Sequence, residues 1–259
     1  MLNQAGQKLV VTMPVCHRPE MLALTLQKLR SSNRPDNLDV RIFADDLANL
    51  ESVKYVRDLY YPDAFIFQTE PHTIAPSGCW NILNSIKKGY ETGADLIFML
   101  EEDVLVQENF FQWHLQQHTS DEYLASCGRK DRHHYPLYGP LYTNPGSCLS
   151  RRLVEQLIPH VCDDYFLGLR EYLDEKLPPQ WDEQSSLDDG LIRRVIRQMG
   201  GKCVYPEIPV CAHQGFRFYG KLDLYQNREI GIENRIRRLR DIIKTIRPGD
   251  RYATDFEPF

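Results

Sequence analysis

Ala94-Asp95-Leu96-Ile97-Phe98-Met99-Leu100-Glu101-Glu102-Asp103-Val104-Leu105-Val106 is the stretch on which the fold turns. Five apolar residues, Leu96 to Leu100, run into three consecutive acids, and a second apolar triplet follows at once. An unbroken run that short, preceded by Gly93, reads as a strand buried on both faces rather than as a helix. Acids at the carboxyl end of such a strand lie where open α/β sheets bind ligands. Clustering three carboxylates there is costly unless a cation or hydrogen-bond donors meet them. A hard divalent ion, Mg²⁺ or Mn²⁺, held through one or two carboxylates and a phosphate, supplies that cation. Acids simply solvated at a surface strand end are the plainer alternative.

Working upstream, residues 8–15 read as another buried strand, and Pro19 is placed to open a helix over 20–31. A strand at 38–44 ends in Asp45 and Asp46, a helix covers 49–59, a strand 64–68 and a helix 80–92. This βαβαβαβ alternation predicts an α/β fold: a mostly parallel mixed sheet with helices on both faces. No G-x-G-x-x-G or P-loop occurs, so the usual glycine cradles for dinucleotides or ATP are absent. Downstream, a helix is expected at 109–118, strands at 123–127 and 147–149, and a helix at 151–157. The acidic, aromatic stretch 163–181 reads as helical before Pro178. Leu187-Asp188-Asp189-Gly190 leads a helix over 189–199, followed by strands at 202–205 and 210–212 and a helix at about 227–246. Asp188 and Asp189 at that helix start also suit plain capping of its dipole.

The 259 residues are expected to form one domain, with a nucleotide-binding half at 8–106, an acceptor half at 107–226 and a basic helix and tail at 227–259. A hydrophobic content of 42% and a charged content of 26% are ordinary for a globular protein, and a net charge of −5 argues against a globally basic nucleic-acid binder. None of the seven cysteines forms a C-x-x-C pair, which excludes a zinc ribbon or thioredoxin-like motif and favours reduced thiols. No run approaches the roughly 18 apolar residues of a membrane span, and Leu9-Val10-Val11 is too short for a signal-peptide core. A soluble cytoplasmic protein is the expectation.

With these elements placed, the chain resembles the GT-A fold of metal-dependent nucleotide-sugar glycosyltransferases, and within it the N-acetylglucosaminyltransferase I family. Val10-Val11-Thr12-Met13-Pro14-Val15-Cys16-His17-Arg18 is similar to that family's opening strand and turn. Ile42-Phe43-Ala44-Asp45-Asp46 looks like its uracil-reading segment. Glu101-Glu102-Asp103 followed by Phe110-Phe111 resembles its metal motif and the next helix. Leu187-Asp188-Asp189-Gly190, Tyr205-Pro206-Glu207-Ile208 and His213-Gln214-Gly215 are similar to its catalytic and terminal segments. The middle acid departs from the family pattern, and no acceptor-side segment matches.

The resemblance implies transfer of a hexosyl or pentosyl group, with inversion, from a nucleotide sugar, UDP being preferred. Asp103 would be the main ligand of Mn²⁺ or Mg²⁺, with His213 a second ligand or a diphosphate contact. Pro14, Arg18, Asp45 and Asp46 would line the nucleotide, Glu102 would reach the ribose or a metal-bound water, and Glu101 would support the strand end. One of Asp188 and Asp189 would be the base, with Asp189 slightly favoured and Asp188 the alternative. Trp80 and Trp181 are candidates for stacking on a sugar or base, and Phe216, Phe218 and Tyr219 for a lid.

The acceptor stays open between a glycan and a modified, hydroxymethylated nucleic-acid base. Bases and aromatics interleave over 129–142, and 228–247 carries seven bases against three acids, which is the basis for the DNA-modification reading. Two rival classes are weighed against transfer. A sugar-phosphate nucleotidyltransferase calls for a glycine-rich, lysine-bearing loop, which Cys16-His17-Arg18-Pro19 is not. A non-catalytic nucleotide- or sugar-binding module has no need of both Asp103 and the Asp188-Asp189 pair.

Overall fold

The computed structural model describes residues 6–70, 73, 76–129, 134–135, 139–178, 185–214 and 231–245. Strand β1 (Leu9–Val15) leads into α1 (Pro19–Ser31), β2 (Leu38–Ala44) into α2 (Leu50–Tyr60), and β3 (Phe65–Gln68) into α3 (Ser77–Glu91) and β4 (Leu96–Met99). Pro19 occupies the first turn of α1, where a missing N–H costs nothing, and Asn49 caps α2 by accepting from the Ser52 N–H at 2.9 Å. The second half contains β5 (Val104–Val106), α4 (Phe110–Gln117), β6 (Tyr123–Cys127), the bridges β7 (His134–Tyr135) and β8 (Gly139–Pro140), β9 (Ser147–Ser150), α5 (Arg151–Leu157), α6 (Asp163–Gly168), α7 (Arg170–Lys176), α8 (Asp188–Gln198), β10 (Lys202–Val204), β11 (Cys211–His213) and α9 (Ile232–Thr245).

Seven strands form the main sheet in the order β10-β6-β9-β4-β1-β2-β3. The β3-β2-β1-β4 block is parallel, β9 runs antiparallel to both β4 and β6, and β10 rejoins β6 in parallel. The expected α/β architecture holds, with β9 as the one reversed strand of this sheet.

Alternation along the two central strands sorts the core. Leu9, Val11, Met13 and Val15 of β1, with Leu96 and Phe98 of β4, pack beneath α1, α2 and α4. Val10, Ile97 and Met99 point the other way, into a cluster with α3, α5 and α8. A strand walled by helices on both sides has no polar face, which is why Leu96–Leu100 is apolar throughout.

After the acidic turn Val104–Val106 leaves the main sheet and pairs antiparallel with β11. The stretch expected to be helical before Pro178 is helical as two elements, with Leu169 at a φ of +37° between α6 and α7. Finally, the basic C-terminal helix is not a free cationic face over its described length. Ile236 and Leu239 are buried, Arg240 donates to Gln27 (2.9 Å) and to the Tyr60 hydroxyl (3.2 Å), and Arg235 lies 3.8 Å from Glu20. Arg237 and Arg238 remain exposed. Among the described residues, no helix is long and apolar enough to cross a membrane.

Candidate active site

The acids stand in the turn between β4 and β5, at the carboxyl end of the sheet's central strand. The Leu100 N–H donates to the Thr12 carbonyl at 3.0 Å, the last main-chain tie to β1 before the turn. The turn closes through the Val104 N–H to the Glu101 carbonyl at 3.1 Å, and the Thr25 hydroxyl donates to the Glu102 carbonyl at 2.7 Å. The β5–β11 register sets His213 opposite Val104, and the Gln214 N–H donates to the Asp103 carbonyl at 3.0 Å. Antiparallel pairing therefore delivers an imidazole to the acidic turn.

A tight turn sends neighbouring side chains in different directions, and the three acids divide accordingly. Glu102 is buried and turned toward β1, where it accepts from the Cys16 N–H at 2.9 Å and from the Arg18 Nε. Arg18 Nη1 donates to Asp103 Oδ2, so one guanidinium fork holds two carboxylates. Glu101 and Asp103 face His213 instead: Nε2 lies 3.2 Å from Asp103 Oδ1 and 3.9 Å from Glu101 Oε2. The ligand atoms of these three residues all lie within 4.8 Å of one another. Glu102 is committed to Arg18, and Glu101 stands with the candidate ligands.

Electrostatics follow from this packing. Burial first, and then the Asp103 charge, push Glu101 up to about 8. Burial also raises Asp103, but the His213 ring and the Arg18 guanidinium more than offset it, leaving that carboxyl below its usual value. Asp103 Oδ1 is buried and has no aligned hydrogen-bond donor, because the His213 contact is close but not directed for one. A buried, ionised oxygen without a donor is costly by itself and well suited to a cation. Two carboxylates and one imidazole form a donor set that accepts Mn²⁺ or Mg²⁺.

Across the sheet end, α8 begins with the two aspartates. Asp189 Oδ1 accepts from the Asn144 N–H at 2.8 Å, and its Oδ2 lies 3.6 Å from Arg193. Asp188 is buried, and burial first, then the Asp189 charge, raise its carboxyl to about 7. Both aspartates act electrostatically on Glu101, so the two acidic groups share one site. Gly190 is required here, since a Cβ on it would lie 2.1 Å from the Ser185 carbonyl oxygen.

The remaining predicted residues fall nearby or outside. Asp45 is buried at the end of β2, its N–H bonded to the Val15 carbonyl (2.8 Å) and its Oδ1 accepting from the Leu47 N–H (3.2 Å); Asp46, beside it, is partly exposed. Pro14 is buried within β1 in register with Phe43. Trp80 is half-buried against Phe166, with ring centroids 6.4 Å apart, so its ring is engaged in packing. Trp181, the aromatic loop at 215–220 with Phe216, Phe218 and Tyr219, and residues 130–133 and 136–138 of the base-rich stretch lie outside the described residues. Sequence reasoning missed Cys79, Tyr165 and Asn144, which surround the aspartates. An isolated cysteine, tyrosine or asparagine carries no spacing signal, so only the fold brings them forward.

No family model and no curated protein sequence matches the chain. Solved structures do. The mannosyltransferase PcManGT from Pyrobaculum calidifontis, in complex with GDP-Man and Mn²⁺, superposes with a TM-score of 0.57 at 14% identity, covering 85% of this chain and 60% of that one. The chain therefore spans about 60% of the length of that mannosyltransferase. Mouse xyloside xylosyltransferase 1 in its apo form has a TM-score of 0.48 at 9% identity, over 77% of this chain and 85% of that one. The galactosyltransferase LgtC, in complex with donor and acceptor sugar analogues, has 0.48 at 12% identity, over 76% and 73%. The fold is that of GT-A glycosyltransferases.

Proposed function

We propose that the protein transfers a sugar from a nucleotide-sugar donor, preferably a UDP-sugar, to an acceptor hydroxyl with inversion at the anomeric carbon. One observation carries the reading: Glu101, Asp103 and His213 converge around a buried, undonated oxygen of Asp103, on the sheet end that also holds Asp188. Glu101, Asp103 and His213 would hold Mn²⁺ or Mg²⁺. When bound, the ion neutralises charge gathering on the diphosphate leaving group. The likeness to a GDP-Man- and Mn²⁺-bound mannosyltransferase, and the sequence resemblance to N-acetylglucosaminyltransferases, both support this assignment.

The chain's own groups take the remaining roles. Arg18 places a permanent cation beside the acidic turn; it joins His213 in holding Asp103 below its usual value, whereas burial raises Glu102 against the pull of the same guanidinium. Asp45 and Asp46, at the end of β2, offer acceptors to the nucleobase. Asp188 is the better base, because a carboxylate titrating near neutrality is matched to taking a proton from a hydroxyl, whereas Asp189 is occupied by Asn144 and Arg193. As Asp188 accepts the hydroxyl proton, the acceptor oxygen bonds to the anomeric carbon. The bond to the diphosphate oxygen breaks, and its electron pair leaves on that oxygen.

A glycan acceptor is favoured over a nucleic-acid base, since Arg235 and Arg240 are turned toward α1 and α2 and the net charge is −5. The test is a thermal-shift and hydrolysis screen of UDP- and GDP-sugars with and without Mn²⁺. The expected result is an Mn²⁺-dependent rise in Tm with at least one UDP-sugar, and slow hydrolysis that Asp103→Asn abolishes. Donor binding and hydrolysis indifferent to both Mn²⁺ and Asp103→Asn would overturn the proposal.

A further inference from the structure

The segment that meets the start of α8 is fixed from its own side. Tyr205 donates its hydroxyl to the Leu141 carbonyl at 2.6 Å and stands 3.0 Å from the Thr143 hydroxyl. The buried Tyr142 hydroxyl donates to Asn144 Oδ1 at 2.7 Å and lies 2.8 Å from Ser147 Oγ. The Ser147 N–H donates to the Asn144 carbonyl at 3.1 Å, closing the turn into β9. Residues 141–147 are therefore a wall tied to itself and to Tyr205.

Two residues one helical turn apart tie α8 to that wall. Asp189 Oδ1 accepts from the Asn144 N–H at 2.8 Å, and Arg193 Nε donates to the Tyr142 carbonyl at 2.7 Å. Arg193 Nη2 lies 3.6 Å from Asp189 Oδ2, so the two ties brace each other. Asn144 is 2% exposed, so its N–H depends on the Asp189 oxygen rather than on water. Asp188 and Asp189 open α8 side by side, and whatever fixes Asp189 fixes the backbone from which the buried Asp188 projects. That matters for a base, which must stand within hydrogen-bond reach of the hydroxyl it deprotonates.

We propose that Asp189 is a positioning residue: clamped between the Asn144 N–H and Arg193, it holds the first turn of α8 against residues 141–144 and thereby aims the Asp188 carboxylate at the acceptor hydroxyl. The inference rests on the assignment of Asp188 as the base. It gives Asp189 no bond to substrate and no share of the proton. The tie to Asn144 needs an acceptor oxygen, which asparagine also offers, whereas a base needs an ionisable carboxyl.

Asp189→Asn and Asp189→Ala separate the two roles. Amide exchange of Asn144, followed by NMR in protein carrying isotope-labelled asparagine, reads the tie without any turnover; its resonance is the one lost in Asn144→Asp. Exchange is expected to be about tenfold faster in Asp189→Ala and close to the wild-type rate in Asp189→Asn. Exchange unchanged in Asp189→Ala overturns the proposal whatever the enzyme does. The second readout is hydrolysis of UDP-glucose, UDP-galactose and UDP-N-acetylglucosamine with Mn²⁺, water taking the place of the acceptor. Asp189→Ala is expected to lower kcat about ten- to a hundredfold with the donor KM unchanged, and Asp189→Asn to restore most of it. Equal losses in the two variants would mean that the carboxyl itself reacts, and full activity in Asp189→Ala would mean that nothing depends on the tie; either result overturns the proposal. Should Asp189→Ala fail to fold, Asp189→Asn decides alone, and a loss of about a hundredfold overturns it. If no UDP-sugar turns over, or Asp188→Asn remains fully active, the base assignment fails, while amide exchange still decides whether Asp189 holds the 141–144 segment.

Discussion

At the scale of single residues, the acidic turn shows how three adjacent carboxylates acquire three different chemistries. His213 and Arg18 hold Asp103 below its usual value, burial raises Glu102 against the pull of Arg18, and burial, then the Asp103 charge, keep the proton on Glu101 up to about 8. A carboxyl must lose its proton to ligate a metal, and here the folded value lies above the ordinary one. Mn²⁺ affinity is therefore expected to fall as pH drops below about 8, approaching tenfold per pH unit. Electron paramagnetic resonance titration of free Mn²⁺ at pH 6, 7 and 8 measures this, and Glu101→Gln should flatten the dependence. Asp188 gives turnover its own pH signature. Its carboxyl, raised to about 7, must be ionised to act as a base, so kcat/KM should decline below about pH 7. A rate constant level from pH 5 to 8 would contradict that role.

Secondary-structure elements explain which parts of this arrangement were readable in the chain. The βα alternation followed from short apolar runs, and the ends of β2 and β4 from the acids that stop them, because strands walled on both faces leave no other composition open. The acids of the proposed metal site were readable as a cluster, since charge beside a buried strand is conspicuous. Their individual roles were not, because the direction of each side chain is set by the turn between β4 and β5. Nor was the departure of Val104–Val106 readable, since a partner strand far along the chain decides it. An aromatic at helical spacing looks alike in sequence whether it faces Phe166 or a ligand, and Trp80 stands half-buried with its ring 6.4 Å from Phe166. Two substitutions test the elements themselves. Gly190→Ala drives a methyl into the Ser185 carbonyl and should cost about 1–3 kcal/mol while displacing the start of α8. Ile236→Ala empties a buried contact of α9 and should cost about 2–4 kcal/mol in urea unfolding.

For the molecule as a whole, the seven-stranded sheet is the common wall of both hydrophobic clusters. Trp113 packs against one cluster and Trp80 against the other, so the two indoles report opposite faces of one sheet. With Trp181 replaced by Phe throughout, urea transitions followed through Trp80 in Trp113→Phe, and through Trp113 in Trp80→Phe, are expected to share a midpoint once each is corrected for its own substitutions. Separate midpoints would show that the faces unfold independently. The antiparallel ribbon of β5 with β11 also sets an order in time. Asp103 leaves the ribosome early, but His213 and the strand that carries it emerge only after all the intervening helices have been synthesised. On the proposed metal site, an ion held by Glu101, Asp103 and His213 together must therefore bind after β11 is synthesised, and a ribosome stalled before Cys211 would carry a chain with most of its sheet and only two of the three proposed ligands.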